Sequence, residues 1–127
     1  MAWVDTNILV RLVTNDVPDL AAAAISKVRQ SKRGELIILD AVLVELFFVL
    51  ESRNQPYRLS RDKVEILFRG ILKLPQFQIS DMALAAFEIF TANPKLDFAD
   101  CLLLAHAGRQ STQILTFDKD LLKLTKA

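Results

Sequence analysis

Apolar positions fall into two kinds of run along the chain. Short unbroken ones, AWV at 2–4, ELIIL at 35–39, FQIS at 77–80 and QILTF at 113–117, predict strands. Longer ones with apolar residues recurring every three or four positions predict helices over 5–14, 20–31, 41–52, 60–72, 81–92 and 98–109. DKDLLKL predicts a short closing helix. Asp40 and Ser60 stand where N-caps are expected, and QPY and NPK break the pattern between helices. Strands alternating with helices predict an α/β fold with a parallel sheet. No linker, repeat or low-complexity segment interrupts the 127 residues, so a single domain over 1–127 is expected.

Composition narrows the class. A hydrophobic fraction of 52%, with 3 Gly and 4 Pro, argues for a packed core and against disorder. The longest apolar runs, such as Leu46 to Leu50, fall far short of the roughly 20 residues that cross a bilayer. The start, MAWVDTN, lacks the basic head and apolar centre of a signal peptide. With Cys101 as the single cysteine there is no internal disulfide, and a soluble, cytoplasmic setting away from membranes is expected.

Net charge is +1, from 16 bases and 15 acids, and makes no global case for binding nucleic acid. Two local clusters, Lys27, Arg29, Lys32 and Arg33, and Arg53, Arg58 and Arg61, read as solvated helix ends or as a phosphate-facing rim.

The acids change the picture more. In AVLVELFFVL, residues 41–50, nine apolar residues enclose Glu45. Its helical neighbours at three and four positions are Ala41, Val42, Phe48 and Val49, so no local cation can offset a buried charge there. Asp5 follows the strand AWV and Asp118 follows QILTF, at the carboxyl ends where parallel sheets bind ligands. Asp97 and Asp100 lie within one turn of each other in LDFADCLLLAHA.

Each of these has a structural alternative. Asp97 and Asp118 suit N-caps, Asp5 suits a cap beside Thr6 and Asn7, and Asp100 suits a first-turn acid favoured by the helix dipole. Convergence of all five on one sheet edge is the functional alternative. Like charges about 5 Å apart repel by roughly 3 kcal/mol at an effective dielectric near 20. Proton sharing or a divalent cation relieves this, and an oxygen-only donor set suits Mg²⁺ or Mn²⁺ better than zinc.

Four segments, VDTNILV at 4–10, VELFFVL at 44–50, LDFADCLLLAHA at 96–107 and LTFDKDL at 115–121, resemble the PIN domain family, and within it the VapC-type toxin ribonucleases of type II toxin–antitoxin systems. The likeness spans essentially the whole chain. It implies a three-layer α/β/α sandwich around a mostly parallel sheet of four or five strands, with an acidic metal-binding pocket at its edge.

By motif, Asp5, Glu45, Asp100 and Asp118 match the catalytic acids of that pocket. Asp97 matches an accessory metal ligand or orienting group. Asn7 and Thr116 match polar positions that would hydrogen-bond the carboxylates or a metal-bound water, beside Thr6. Asp120 matches an outer acid or a solvated helix residue. The resemblance further implies metal-dependent endoribonuclease activity, with Mg²⁺ or Mn²⁺ activating a water and leaving a 5′-phosphate. It implies a homodimer and a helical antitoxin partner, for which the apolar helices at 20–31 and 41–50 offer faces.

Other chemistries fit less well. His106, the single histidine, lies five residues after Cys101, about 140° around a helix, so the two form no dyad. Gly34, Gly70 and Gly108 make no nucleotide-binding pattern. A phosphoryl-aspartate domain would need a strand-end lysine where Asp118 stands. An RNA-processing or DNA nuclease, or a non-catalytic interaction module, keeps the same fold.

Overall fold

The structure, a computed structural model, describes residues 1–125; the last two positions of the expected 1–127 domain lie outside the described residues. Contacts divide the chain into two compact units, Met1–Ser80 and Asp81–Ala127.

The first unit is built on a parallel sheet. Strand β1 (Ala2–Trp3) pairs with β2 (Leu36–Ile38), and β2 with β3 (Phe77–Ile79), in the order β1-β2-β3. Register places Ala2 opposite Leu36, Trp3 opposite Ile37, and Ile38 opposite Ile79. Parallel neighbours need long crossovers, usually helical. Here α1 (Thr6–Thr14) and α2 (Pro18–Gln30) join β1 to β2, and α3 (Asp40–Glu51) and α4 (Arg61–Leu72) join β2 to β3.

Each helix starts and stops for a local reason. Pro18 fills the first turn of α2, where its missing N–H costs nothing. Ser60 caps α4, its hydroxyl accepting from the Lys63 N–H at 3.2 Å. Asp40 is not the cap expected for α3. It is the first helical residue, with Leu39 at the cap position, and its carboxylate instead accepts from the Ser80 hydroxyl at 2.6 Å.

Along α3, Leu43, Leu46, Phe47 and Leu50 are buried, a stripe at i, i+3, i+4 and i+7. Phe47 meets Phe68 of α4 edge-on, ring centres 5.1 Å apart. Arg61, at the start of α4, is paired with Glu51, at the end of α3, at 2.6 Å. Asn15 ends α1 in the left-handed conformation, and Asp16 beside it gathers bonds from Tyr57, Thr14 and Arg11. The bond from the Tyr57 hydroxyl, with those from the Thr14 hydroxyl and the Arg11 guanidinium, holds the Asp16 carboxyl down at about 2, despite some desolvation that opposes them. Tyr57 thereby fastens the loop before α4 to the end of α1.

The second unit is helical: α5 (Asp81–Ala92), α6 (Phe98–Gln110) and α7 (Lys119–Thr125). Helix α5 buries Ala83, Ala86, Phe87 and Phe90, the same spacing as α3. It packs on α6 through Phe90 and Phe98, edge-on at 5.9 Å. Cys101 is buried on α6 and His106 exposed, in keeping with their separation around the helix.

The sheet has three strands among the described residues, not the four or five expected. The missing one is QILTF. Residues 113–117 alternate in exposure, as a strand would, but enter no ladder. Leu115 and Phe117 are fully exposed. Alternation specifies which faces a strand presents, but a strand exists only through a hydrogen-bonded neighbour. No helix among the described residues is long and apolar enough to cross a membrane.

Candidate active site

The acids at the start of α6 are fixed by the chain around them. Asp97 sits at the N-cap in extended conformation, and its Oδ1 accepts from the Asp100 N–H at 2.8 Å. Asp100 returns the favour more weakly, its Oδ2 accepting from the Asp97 N–H at 3.4 Å, which closes a capping box. A Glu or Gln usually fills the third helical position of such a box; the shorter Asp100 side chain reaches it only at long range.

Asp118 holds the start of α7. Its Oδ1 accepts from the N–H groups of Asp120 at 2.8 Å and Leu121 at 3.1 Å. The Thr116 hydroxyl accepts from the Asp118 N–H at 2.9 Å, so Thr116 shapes the turn rather than bonding a carboxylate.

Burial pushes the Asp100 carboxyl above the ordinary value of 3.8, and the negative charges of Asp97 and Asp118 push it further; the bond from the Asp97 N–H opposes them. Three of the acids singled out in the sequence, Asp97, Asp100 and Asp118, therefore share one electrostatic neighbourhood in the second unit. The cap reading and the cluster reading hold together for Asp97 and Asp118: one oxygen of each is engaged by backbone N–H groups.

Asp5 and Glu45 belong to the first unit. Asp5 occupies the N-cap position of α1 but makes no capping bond, and its side chain is exposed. Thr6 behind it is buried and Asn7 is exposed. Glu45 is exposed too, on the side of α3 opposite the buried stripe. The expectation of a buried, uncompensated Glu45 is thus corrected: an apolar helix still has an outward face, and Glu45 is on it beside Phe48, itself 54% exposed. Asp120 is half-buried on α7.

Among the described residues, no group of three or more His, Cys, Asp or Glu side chains is arranged to hold a metal ion. The donor chemistry nevertheless suits a hard divalent cation. Asp97, Asp100 and Asp118 offer only oxygen, and a cation would relieve the crowding of charge that raises Asp100.

The first unit carries a parallel α/β sheet, and the second carries three acids that share one electrostatic neighbourhood. The PIN domain model matches residues 2–127, and the chain belongs to the PIN domain family. PIN domains are generally nucleases and generally use divalent metal ions, so the chain carries the fold of a hydrolase acting on nucleic acids. Among curated proteins, none matches the chain.

Reading the sequence did not single out Lys95 or Lys123, which share a pocket with Asp120 beside these acids. The two are far apart in the chain and in unremarkable company. Only the packing of α7 against the turn before α6 makes them neighbours.

Proposed function

We propose that the protein is a metal-dependent endoribonuclease and the VapC-type toxin of a toxin–antitoxin pair. The observation that carries the catalytic part is the Asp97, Asp100 and Asp118 neighbourhood, where burial, together with the charges of Asp97 and Asp118, holds the Asp100 carboxyl above its ordinary range. PIN domains are generally nucleases, and neighbouring carboxylates are the oxygen donors that a hard divalent cation takes.

In this reading Asp100 and Asp118, with Asp5 and Glu45, carry the reaction. Mg²⁺ or Mn²⁺, when bound by these acids, would supply charge to neutralise the scissile phosphate and to favour deprotonation of an attacking water. The chain's own contribution is positioning. Asp97 fixes the first turn of α6 and so the direction of Asp100, while Thr116 and the capping bonds of Asp118 fix the start of α7.

Incubation of the purified chain with single-stranded and structured RNA, with Mg²⁺ and then with chelator, tests the reading. Wild type should cleave with Mg²⁺ or Mn²⁺ and stop on chelation. Asp100→Asn should lose on the order of a hundredfold or more in rate. Equal cleavage by wild type and Asp100→Asn would refute the assignment.

The partner reading has separate support in the first unit. An apolar groove of about 400 Å³ runs among Leu12 and Val13 of α1, Ile25 and Val28 of α2, and Ile66 and Ile71 of α4. The buried Gln76 Oε1 in its wall has no hydrogen-bond partner. An apolar helix from an antitoxin, bringing one N–H donor, complements such a groove. A homodimer is the companion proposal. Light scattering of the chain alone and with the product of a neighbouring small reading frame checks both.

A further inference from the structure

The second unit presents a polyanionic substrate with a difficulty: Asp97, Asp100 and Asp118 are of the same sign as RNA. Beside them is a pocket of about 260 Å³ between the turn at 93–96 and α7, with Asn93, Lys95, Asp120 and Lys123 as its polar lining. Its walls are continuous with the acids along the chain. Lys95 is two residues before Asp97, and Asp120 two after Asp118. Lys123 lies one turn beyond Asp120 on α7.

Both lysines are exposed, and among the described residues neither is in an ion pair or a side-chain hydrogen bond. Lysines left free beside an acidic cluster contrast with Arg11, Arg61 and Arg69, each of which is paired with a carboxylate in the first unit. Of the other described cations in the second unit, Arg109 lies nine residues along α6 from Asp100, about 14 Å away. Lys119 is on α7 outside the pocket.

We propose that Lys95 and Lys123 form a subsite for one backbone phosphate of the RNA, next to the scissile position; this rests on the nuclease reading. The charges specify the ligand. Two ammonium groups and the Asp120 carboxylate sum to one positive charge, which matches an internal phosphodiester rather than a doubly charged terminal phosphate. The volume is below the range of pockets that enclose whole drug-sized ligands, roughly 300–1,000 Å³, and suits a phosphate with part of its sugar. Held there, the strand is anchored by cations while a neighbouring linkage meets the acids.

The test is binding of a fluorescent, uncleavable 2′-O-methyl oligoribonucleotide, followed by anisotropy over a range of salt. Wild type should bind. The double variant Lys95→Ala/Lys123→Ala should bind roughly tenfold more weakly, with the slope of log affinity against log salt reduced by about 0.7, as expected for one single-strand phosphate released. Lys95→Arg/Lys123→Arg should restore both, and a terminal 5′-phosphate on the probe should add nothing. Unchanged affinity and slope in the alanine variant, with wild type cleaving RNA, overturns the subsite alone. If wild type neither binds nor cleaves RNA, the nuclease reading falls and the subsite with it.

Discussion

Helices α3 and α6 each carry an acid among apolar residues, and the two acids meet opposite circumstances. Glu45 lies mid-helix in a segment apolar on nearly every side, yet it is exposed, because Leu43, Leu46, Phe47 and Leu50 already fill the one face the core can accept. Asp100 lies in a first turn, where solvent would be expected, yet it is partly desolvated and crowded by Asp97 and Asp118. The lesson concerns position on the helix. Apolar neighbours in sequence do not bury an acid, since a helix distributes them around all its sides. A cap does bring charges together: Asp97 and Asp100 each bond the other's N–H at the start of α6, and Asp118, capping α7, adds its charge through space.

The comparison can be broken first at the stripe that sets it. Phe47→Ala should destabilise the fold by about 3–5 kcal/mol, measured by denaturant unfolding. A loss below about 1 kcal/mol would mean that α3 does not pack through this face and that the exposure of Glu45 needs another cause.

A smaller effect separates capping from chemistry in α6. Asp97→Ala should cost about 1 kcal/mol through loss of the bond to the Asp100 N–H. Asp97→Asn, which keeps an acceptor oxygen, should cost less.

The third effect is one of direction. The Asp100 carboxyl is raised in the folded state above its ordinary 3.8, so the folded state binds that proton more tightly than the unfolded one. Stability from this group is therefore greatest below 3.8 and is lost as pH rises through the raised value. Asp100→Asn should match wild type in Tm at low pH and exceed it at neutral pH without metal. A lower Tm for the variant at neutral pH would show that the capping box outweighs the repulsion.

Smallest of all, Glu45→Gln should change stability by no more than about 0.5 kcal/mol, as for an exposed residue away from special features. If its activity also stays at the wild-type level, Glu45 is not part of the proposed reaction.

The elements of the first unit were legible because their signals are local. The turn after AWV, the Ser60 cap and the apolar run of β2 each lie within a few residues of the structure they cause. The fourth expected strand was not, because residues 113–117 carry the alternation of a strand without the partner that would make it one. For the acids, sequence spacing alone placed Asp97 and Asp100 within a turn. The capping role of Asp118 was also readable, but its influence on Asp100 was not.

By itself the sequence determined the helix boundaries to within a residue or two, the parallel α/β pattern and the family, since caps, periodicity and motif order act over short distances or survive as spelling. The outward turn of Glu45, the crowding of Asp100 by Asp118, and the pocket shared by Lys95 and Lys123 were decided only in three dimensions. Water exclusion and Coulomb repulsion depend on through-space separation, and no distance along a chain supplies that.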